Sequence, residues 1–196
     1  MNKISFSDRY RLTKSVIKRW KTMTRRIVNE KIIQRARDYV SRNAKDDWDE
    51  EREKDEINKY ILRHAPYKAG QIVAVAQSLK DMGYDPKEKN WKSGQIWGLD
   101  HTAAWKNKMF VSAFQCIHQI RITSVRVERL QDISEEDAVK EGVEYRGDLC
   151  GFITEADAVT YDTAREAFAA LIDKISGKGT WDRNPLVYVY EFELVK

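Results

Sequence analysis

Apolar residues recur at helical spacing through Leu12, Val16, Ile17 and Trp20, with Arg9, Arg11, Lys14, Lys18 and Arg19 between them. The pattern predicts a short amphipathic helix, capped by Ser7 or Asp8 and ending near Lys21. There the threonines of Lys21-Thr22-Met23-Thr24-Arg25-Arg26 favour extended chain. Residues 28–63 read as mostly helical. Ile32, Ile33, Ala36, Tyr39 and Val40 form one stripe. Beyond a polar break at 42–49, the charged segment Glu50–Arg63 keeps only Ile57, Tyr60 and Ile61 as an apolar face. So little apolar surface predicts a helical insertion on the outside of the fold, at about 28–63.

Pro66 and Gly70 punctuate a turn, after which Gln71–Ala76 reads as a buried strand. Residues 80–108, with Trp91, Trp97 and Trp105, make a long irregular connection. Short strands are expected around Ile96–Leu99 and Met109–Ala113. The clearest strand is Gln119–Leu130. Ile120 and Ile122 alternate, then Val125 and Val127 alternate in the opposite phase, which predicts a β-bulge near Thr123–Ser124. Ser134 caps a short helix, Glu135–Glu141, stopped by Gly142. Thr163 and Glu166 make a capping box for a helix through Phe168, Leu171, Ile172 and Ile175, ended by Gly177 and Gly179. Asn184-Pro185 introduces a final alternating strand, Leu186–Val195. The order lacks a βαβ rhythm. It predicts an α+β fold, a small and strongly bent β-barrel with packed helices, in a single domain spanning 1–196.

At 196 residues, 42% hydrophobic, the chain is long enough for a substantial core. No apolar run approaches the ~18–20 residues of a membrane span, and the start has no signal-peptide apolar core. Two cysteines, Cys116 and Cys150, in unlike contexts point to a reducing, cytoplasmic compartment. Charge is blocked along the chain: residues 1–37 carry 12 Lys/Arg against 2 Asp/Glu, and residues 128–173 carry 4 against 13. Kept apart by folding, such blocks would give a basic face that attracts polyanions; interleaved, they would give a mixed surface.

Phosphate-loop, dinucleotide, zincin and CxxC motifs are missing. Cys116-x-His118 lacks partners at ligand spacing, and His64 and His101 stand alone, so neither a metal nor a cofactor is expected. Trp181, beside Asn184-Pro185, is the tryptophan expected to be partly exposed and able to stack on a base. Lys21 three residues before Thr24, at a helix-to-strand corner, brings an amine near a hydroxyl. A partly desolvated Lys can serve as base toward a Thr nucleophile. The same run equally suits a basic corner with solvated arginines. Lys21 and Thr24 are expected to line a cleft, outside the core, so that truncating either would cost within about 1 kcal/mol.

KTMTRR after an N-terminal helix resembles the KTxTRR signature of ASCH-domain proteins of the PUA-like superfamily, in their phage and prophage branch. Four further segments resemble that family in order: Tyr67-Lys-Ala-Gly70-Gln71, Ile122–Ile133, Ala138-Val-Lys-Glu141-Gly142-Val143, and Trp181-Asp-Arg-Asn184-Pro185-Leu-Val187. The resemblance implies a PUA-like β-barrel in which Lys21–Arg26 and Glu141 meet at a cleft. It implies binding of RNA or a nucleotide, with Lys21, Arg25, Arg26 and Trp181 as contacts. Small relatives of this type hydrolyse the acetyl amide of N4-acetylcytidine without a metal. Carried over, Lys21 would be the base, Thr24 the nucleophile and Glu141 the orienting or protonating carboxylate. A protein partner is not specified, although the charged helix within 38–60 would suit docking.

Overall fold

A computed structural model of the chain describes residues 1–44, 48–89, 98–154 and 159–196. In chain order its first half contains β1 (Lys3–Ile4), α1 (Leu12–Ile17), β2 (Met23–Ile27), α2 (Glu30–Asn43), α3 (Glu50–Arg63) and β3 (Ile72–Val75). Then come α4 (Ala103–Lys106), β4 (Gln119–Arg129), α5 (Glu135–Lys140), β5 (Glu144–Arg146), β6 (Gly151–Ile153), α6 (Ala164–Ser176), α7 (Thr180–Arg183) and β7 (Leu186–Leu194). The main sheet has the order β1-β3-β4-β7-β2, with β1 and β3 parallel and the other pairs antiparallel. β5 and β6 form a separate hairpin.

β7 organises this mixed α+β architecture. Its Tyr188, Tyr190 and Phe192 enter a large cluster with Ile4, Phe6, Val16, Val73, Ile120 and Ile122. The alternate residues Val187 and Val189 enter a second cluster with Met23, Leu130 and Phe168. A strand covered on both faces needs apolar residues at successive positions, and this one supplies them. The expected bulge in β4 is present. Ile122 pairs with Phe192 and Ser124 with Glu191, so Thr123 is the extra residue. Its insertion keeps Ile120, Ile122, Val125 and Val127 on the side of the same large cluster.

Several expectations change. α1 begins only at Leu12, after a left-handed Arg11 (φ 51°), because Asp8 accepts from the Thr13 hydroxyl at 2.5 Å instead of capping the helix. Trp20 lies beyond the helix end and is 52% exposed, with Lys18 Nζ 4.2 Å over its ring, so it leaves the apolar stripe. Residues 108–110 form a 3-10 turn, not a strand, with the Asn107 side chain accepting from Met109 N. Ile96 and Trp97 of the other expected short strand, and Trp91, lie outside the described residues. α2 and α3 are helical as patterned, yet Ile33, Ala36 and Ile61 join the main cluster, and the Tyr188 hydroxyl donates to the Ile61 carbonyl at 3.2 Å. Their narrow apolar faces are thus used in the core.

The sheet bends but does not close into a barrel. β1 and β2 are its two edges, and no backbone ladder joins them among the described residues. Arg26 spans the gap instead: its NH2 donates to the Ser5 carbonyl at 2.5 Å, and its guanidinium lies over the Phe6 ring. A two-residue β1 is too short to extend a ladder across. α6 packs against the second cluster and supplies one wall beside β2. Its start is fixed by the expected capping box, with Thr163 Oγ1 accepting from Glu166 N at 3.2 Å and Glu166 reaching back to Thr163 N at 3.3 Å. Thr163→Ala is expected to lower stability by about 1 kcal/mol and the Tm by about 2–4 °C, measured by thermal unfolding followed by circular dichroism.

Candidate functional site

The chain leaves α1 through Arg19, whose φ is 62°, and Lys21 N donates back to the Ser15 carbonyl at 3.1 Å. This tight exit turns Lys21 inward. Its amine donates to Glu141 Oε2 at 2.5 Å and to the Glu141 carbonyl at 2.7 Å. Glu141 is the residue that closes α5, and Gly142 after it takes φ 101°, a conformation that favours glycine. Thr22 N also donates to the Lys140 carbonyl at 2.9 Å, so backbone and side chain both tie the start of β2 to the end of α5. Lys21 and Glu141 are only 2% and 3% exposed. Burial lowers the pKa of Lys21, partly opposed by the charge and hydrogen bond of Glu141.

Glu141 also accepts from Arg25. NH1 of Arg25 lies 3.3 Å from Glu141 Oε1, NH2 lies 3.0 Å from Asp137 Oδ2, and Nε lies 3.0 Å from Glu128 Oε1. Asp137 and Glu141 stand four residues apart, which puts both carboxylates on one face of α5. Arg25 and Arg126 both pair with Val189 of β7, so they occupy one row of the sheet with a single strand between them. Two cations so placed repel unless anions stand between them. Glu128 bridges both arginines, and Arg126 also donates to Asp137 (2.5 Å) and Glu191 (2.7 Å). Burial raises the pKa of Asp137, but donation from Arg25 and the charges of Arg25 and Arg126 outweigh it, so the net direction is down.

Thr24 and Arg26 complete a cavity of about 360 Å³ that Lys21, Arg25 and Glu141 also line, with Phe6 and the α6 residues Phe168 and Leu171 as its apolar walls. Arg25 lies 5.9 Å over the Phe168 ring and Arg26 lies 5.4 Å over Phe6. Thr24 is 4% exposed, and its hydroxyl makes no hydrogen bond among the described residues. Arg26 has no carboxylate within ion-pairing distance there, and its Nε is shut off from solvent without a hydrogen-bond partner. Burial lowers its pKa, though a guanidinium remains charged at any ordinary pH.

The five cavity residues anticipated from sequence therefore meet. Trp181 does not line the cavity. It is half-buried behind the Phe168 ring at 6.3 Å, with its carbonyl held by the Gln131 side chain. The sequence places Lys21 and Thr24 in a cleft outside the core; both line the cavity, yet both are almost inaccessible, so they are buried positions as well. The sequence reading missed Glu128, Arg126 and Asp137, which position Arg25. The Asp137-x-x-x-Glu141 spacing and the Arg126-x-Glu128 alternation were the available signals. Cys116 is buried, and His118 Nδ1 lies 2.6 Å from the Gln77 amide oxygen, placing both away from the cavity. Among the described residues no helix is long and apolar enough to cross a membrane.

No protein-family model matches the chain, and no curated protein matches it. Among solved structures, the ASCH domain from Lactobacillus crispatus JV V101 is similar over 98% of this chain and 80% of that one, at 13% identity and a TM-score of 0.36. A likeness that distant carries no weight for fold or function.

Glu141→Gln leaves the buried Lys21 ammonium without its counter-charge and is expected to destabilise the protein by about 3 kcal/mol. Lys21 then has a lower folded pKa than in wild type, so between those two folded values the variant's unfolded state binds a proton that its folded state lacks, while folded wild-type Lys21 still holds its own. Stability relative to wild type therefore rises with pH across that window and is level above it, where both proteins gain equally. Urea unfolding at neutral and alkaline pH measures it. A deficit that does not shrink would contradict the assignment of the loss to Lys21.

Proposed function

We propose that the chain is an ASCH-type, PUA-like protein of the phage and prophage branch whose cavity binds RNA or a nucleotide or nucleoside. One observation carries this reading. Arg26 lines the cavity, is only partly buried, and makes no ion pair among the described residues. A guanidinium without a counter-charge at a cavity wall matches the paired oxygens of a phosphate, which would supply the missing anion. Lys21 and Arg25 need no such ligand, since Glu141, Glu128 and Asp137 already balance them.

The residues behind the family resemblance support the same reading by their placement. KTMTRR contributes Lys21, Thr24, Arg25 and Arg26 to one cavity, and the A-x-x-E-G segment contributes Glu141. Tyr67 of the Y-x-x-G turn packs edge-on against Tyr190 at 5.4 Å and donates to the Lys3 carbonyl. Burial raises the pKa of both tyrosines, and the nearby charge of Arg26 opposes it. Asn184 of the W-x-x-N-P segment accepts from Gln131 N at 2.9 Å. The apolar walls Phe6 and Phe168 suit the faces of a base.

A second reading, a metal-independent amidohydrolase for an N-acylated nucleoside such as N4-acetylcytidine, is favoured by the Thr24 hydroxyl in the same cavity as the Lys21–Glu141 pair. Lys21 would pass a proton to Glu141 and take the Thr24 proton as Oγ attacks the acyl carbon. Glu141 would then return its proton to the departing amine, and water would open the Thr24 ester.

Equilibrium binding of labelled single-stranded RNA and turnover of N4-acetylcytidine separate the readings. With binding alone, Arg26→Gln weakens affinity about tenfold or more, Thr24→Ala leaves it nearly unchanged, and no turnover is seen. With hydrolysis, wild type turns over and Thr24→Ala abolishes it. Wild-type protein that neither binds nor hydrolyses would overturn both.

A further inference from the structure

Ile27, the last residue of β2, is exposed and lines the cavity on one side and a second, larger recess of about 660 Å³ on the other. Arg37 of α2, Arg129 at the end of β4 and Arg183 of α7 line that recess together. These residues lie far apart in sequence and come from three elements. All three are exposed, and none makes an ion pair among the described residues. Arg129 donates to the Asn184 carbonyl, and Arg183 to the Lys178 carbonyl and the Thr180 hydroxyl.

Arg25, Arg121, Arg126 and Arg146 are each paired with at least one carboxylate, whereas Arg9, Arg19, Arg35, Arg42 and Arg63 make no ion pair among the described residues, so what sets the recess apart is that three such cations converge on it. In the recess three guanidiniums share one space, with Glu30 as its only acidic lining residue among the described residues. Like charges held together raise the local positive potential and favour an anion. Guanidiniums in particular match the paired oxygens of a phosphate. A smaller hollow continues past Arg37 and Arg129 and is bordered by Glu50, Glu53 and Lys54, so its charge is mixed. The cations without ion pairs therefore run from Arg26 in the cavity, past Ile27, to the three arginines of the recess.

We propose that this recess holds the phosphodiester backbone of a single-stranded polynucleotide whose base-bearing end occupies the neighbouring cavity. The inference rests on the nucleic-acid reading above and extends it. It gives α2 a role beyond packing, because Arg37 is the cation that the 28–63 segment contributes to the recess. A mononucleotide in the cavity would not reach the recess, whereas an oligonucleotide would engage both.

The test is fluorescence anisotropy with a labelled single-stranded RNA of about 12 nucleotides, with CMP and polyglutamate as unlabelled competitors. Wild type, the triple variant Arg37→Gln/Arg129→Gln/Arg183→Gln and the cavity variant Arg26→Gln are compared, each checked for an unchanged circular-dichroism spectrum. The single variant Arg37→Glu serves if the triple variant misfolds, since Arg37 makes no bond that folding needs.

The triple variant is expected to bind the RNA at least tenfold more weakly at about 0.1 M salt. Its slope of log affinity against log salt should be shallower by about two, because each single-strand phosphate contact contributes about 0.7. Affinity for CMP should stay within about twofold. RNA binding that Arg26→Gln weakens but the arginine variants leave unaltered, in affinity and slope, would overturn the recess while the cavity reading stands. Equal losses for CMP and RNA would overturn the backbone assignment. Polyglutamate competing as well as RNA, with the same loss in the triple variant, would mark the recess as a dock for an acidic protein and overturn it too. Absence of RNA binding by wild type would remove the nucleic-acid reading and this inference with it.

Discussion

The Glu141 carboxylate is the constraint on which the cavity depends. It is the anion shared by two buried cations, Lys21 at the end of the turn after α1 and Arg25 in the middle of β2. Without it those cations would lie next to each other in low dielectric, where mutual repulsion and lost hydration would both oppose folding. Its position is fixed from two directions: by the α5 backbone that Glu141 closes, and by the Thr22–Lys140 backbone hydrogen bond alongside. α1, β2 and α5 are thereby held in one arrangement, and the open edge of β2 becomes a wall.

The same pairing logic explains what is left over. Carboxylates of α5, β4 and β7 neutralise Arg25 and Arg126 across the sheet, so those cations belong to the scaffold. Arg26, one residue further along the strand, points to the opposite face, toward Phe6 and the β1 edge. There it meets a carbonyl but no carboxylate. A strand of successive cations thus divides by alternation into one that is structurally satisfied and one that keeps unmet hydrogen-bonding capacity beside a cavity. The Arg26 charge, unmatched by a carboxylate among the described residues, is what the proposed phosphate-bearing ligand would meet.

The open sheet follows from the same corner. A ladder between β1 and β2 would close the barrel and bury the β2 edge. Arg26, with its contacts to the Ser5 carbonyl and the Phe6 ring, bridges the edges and leaves room for the cavity between the N-terminal segment and α6. α2 and α3, whose sequence suggests an outlying insertion, are drawn onto the core by Ile33, Ala36 and Ile61. A narrow stripe is enough when the neighbouring sheet offers a matching apolar face, and hydropathy along one segment cannot reveal that match.

Local patterns determined a good deal by themselves. The phase flip from Ile120 and Ile122 to Val125 and Val127 located the β4 bulge, because strand faces alternate with a fixed period of two. Thr163 with Glu166, and Ser134 with Gly142, located the ends of α6 and α5, because caps satisfy backbone groups within a few residues. The KTMTRR run and Glu141 named the cavity residues, through resemblance more than through their spacing of 120 positions. The tertiary structure alone decided which of those charges are spent on one another. Ion pairs between β2, β4, β7 and α5 depend on strand order and on which face each residue presents. The burial of Lys21, the unmatched Arg26 and the meeting of Arg37, Arg129 and Arg183 are likewise properties of assembled surfaces, and a linear sequence carries no direct record of them.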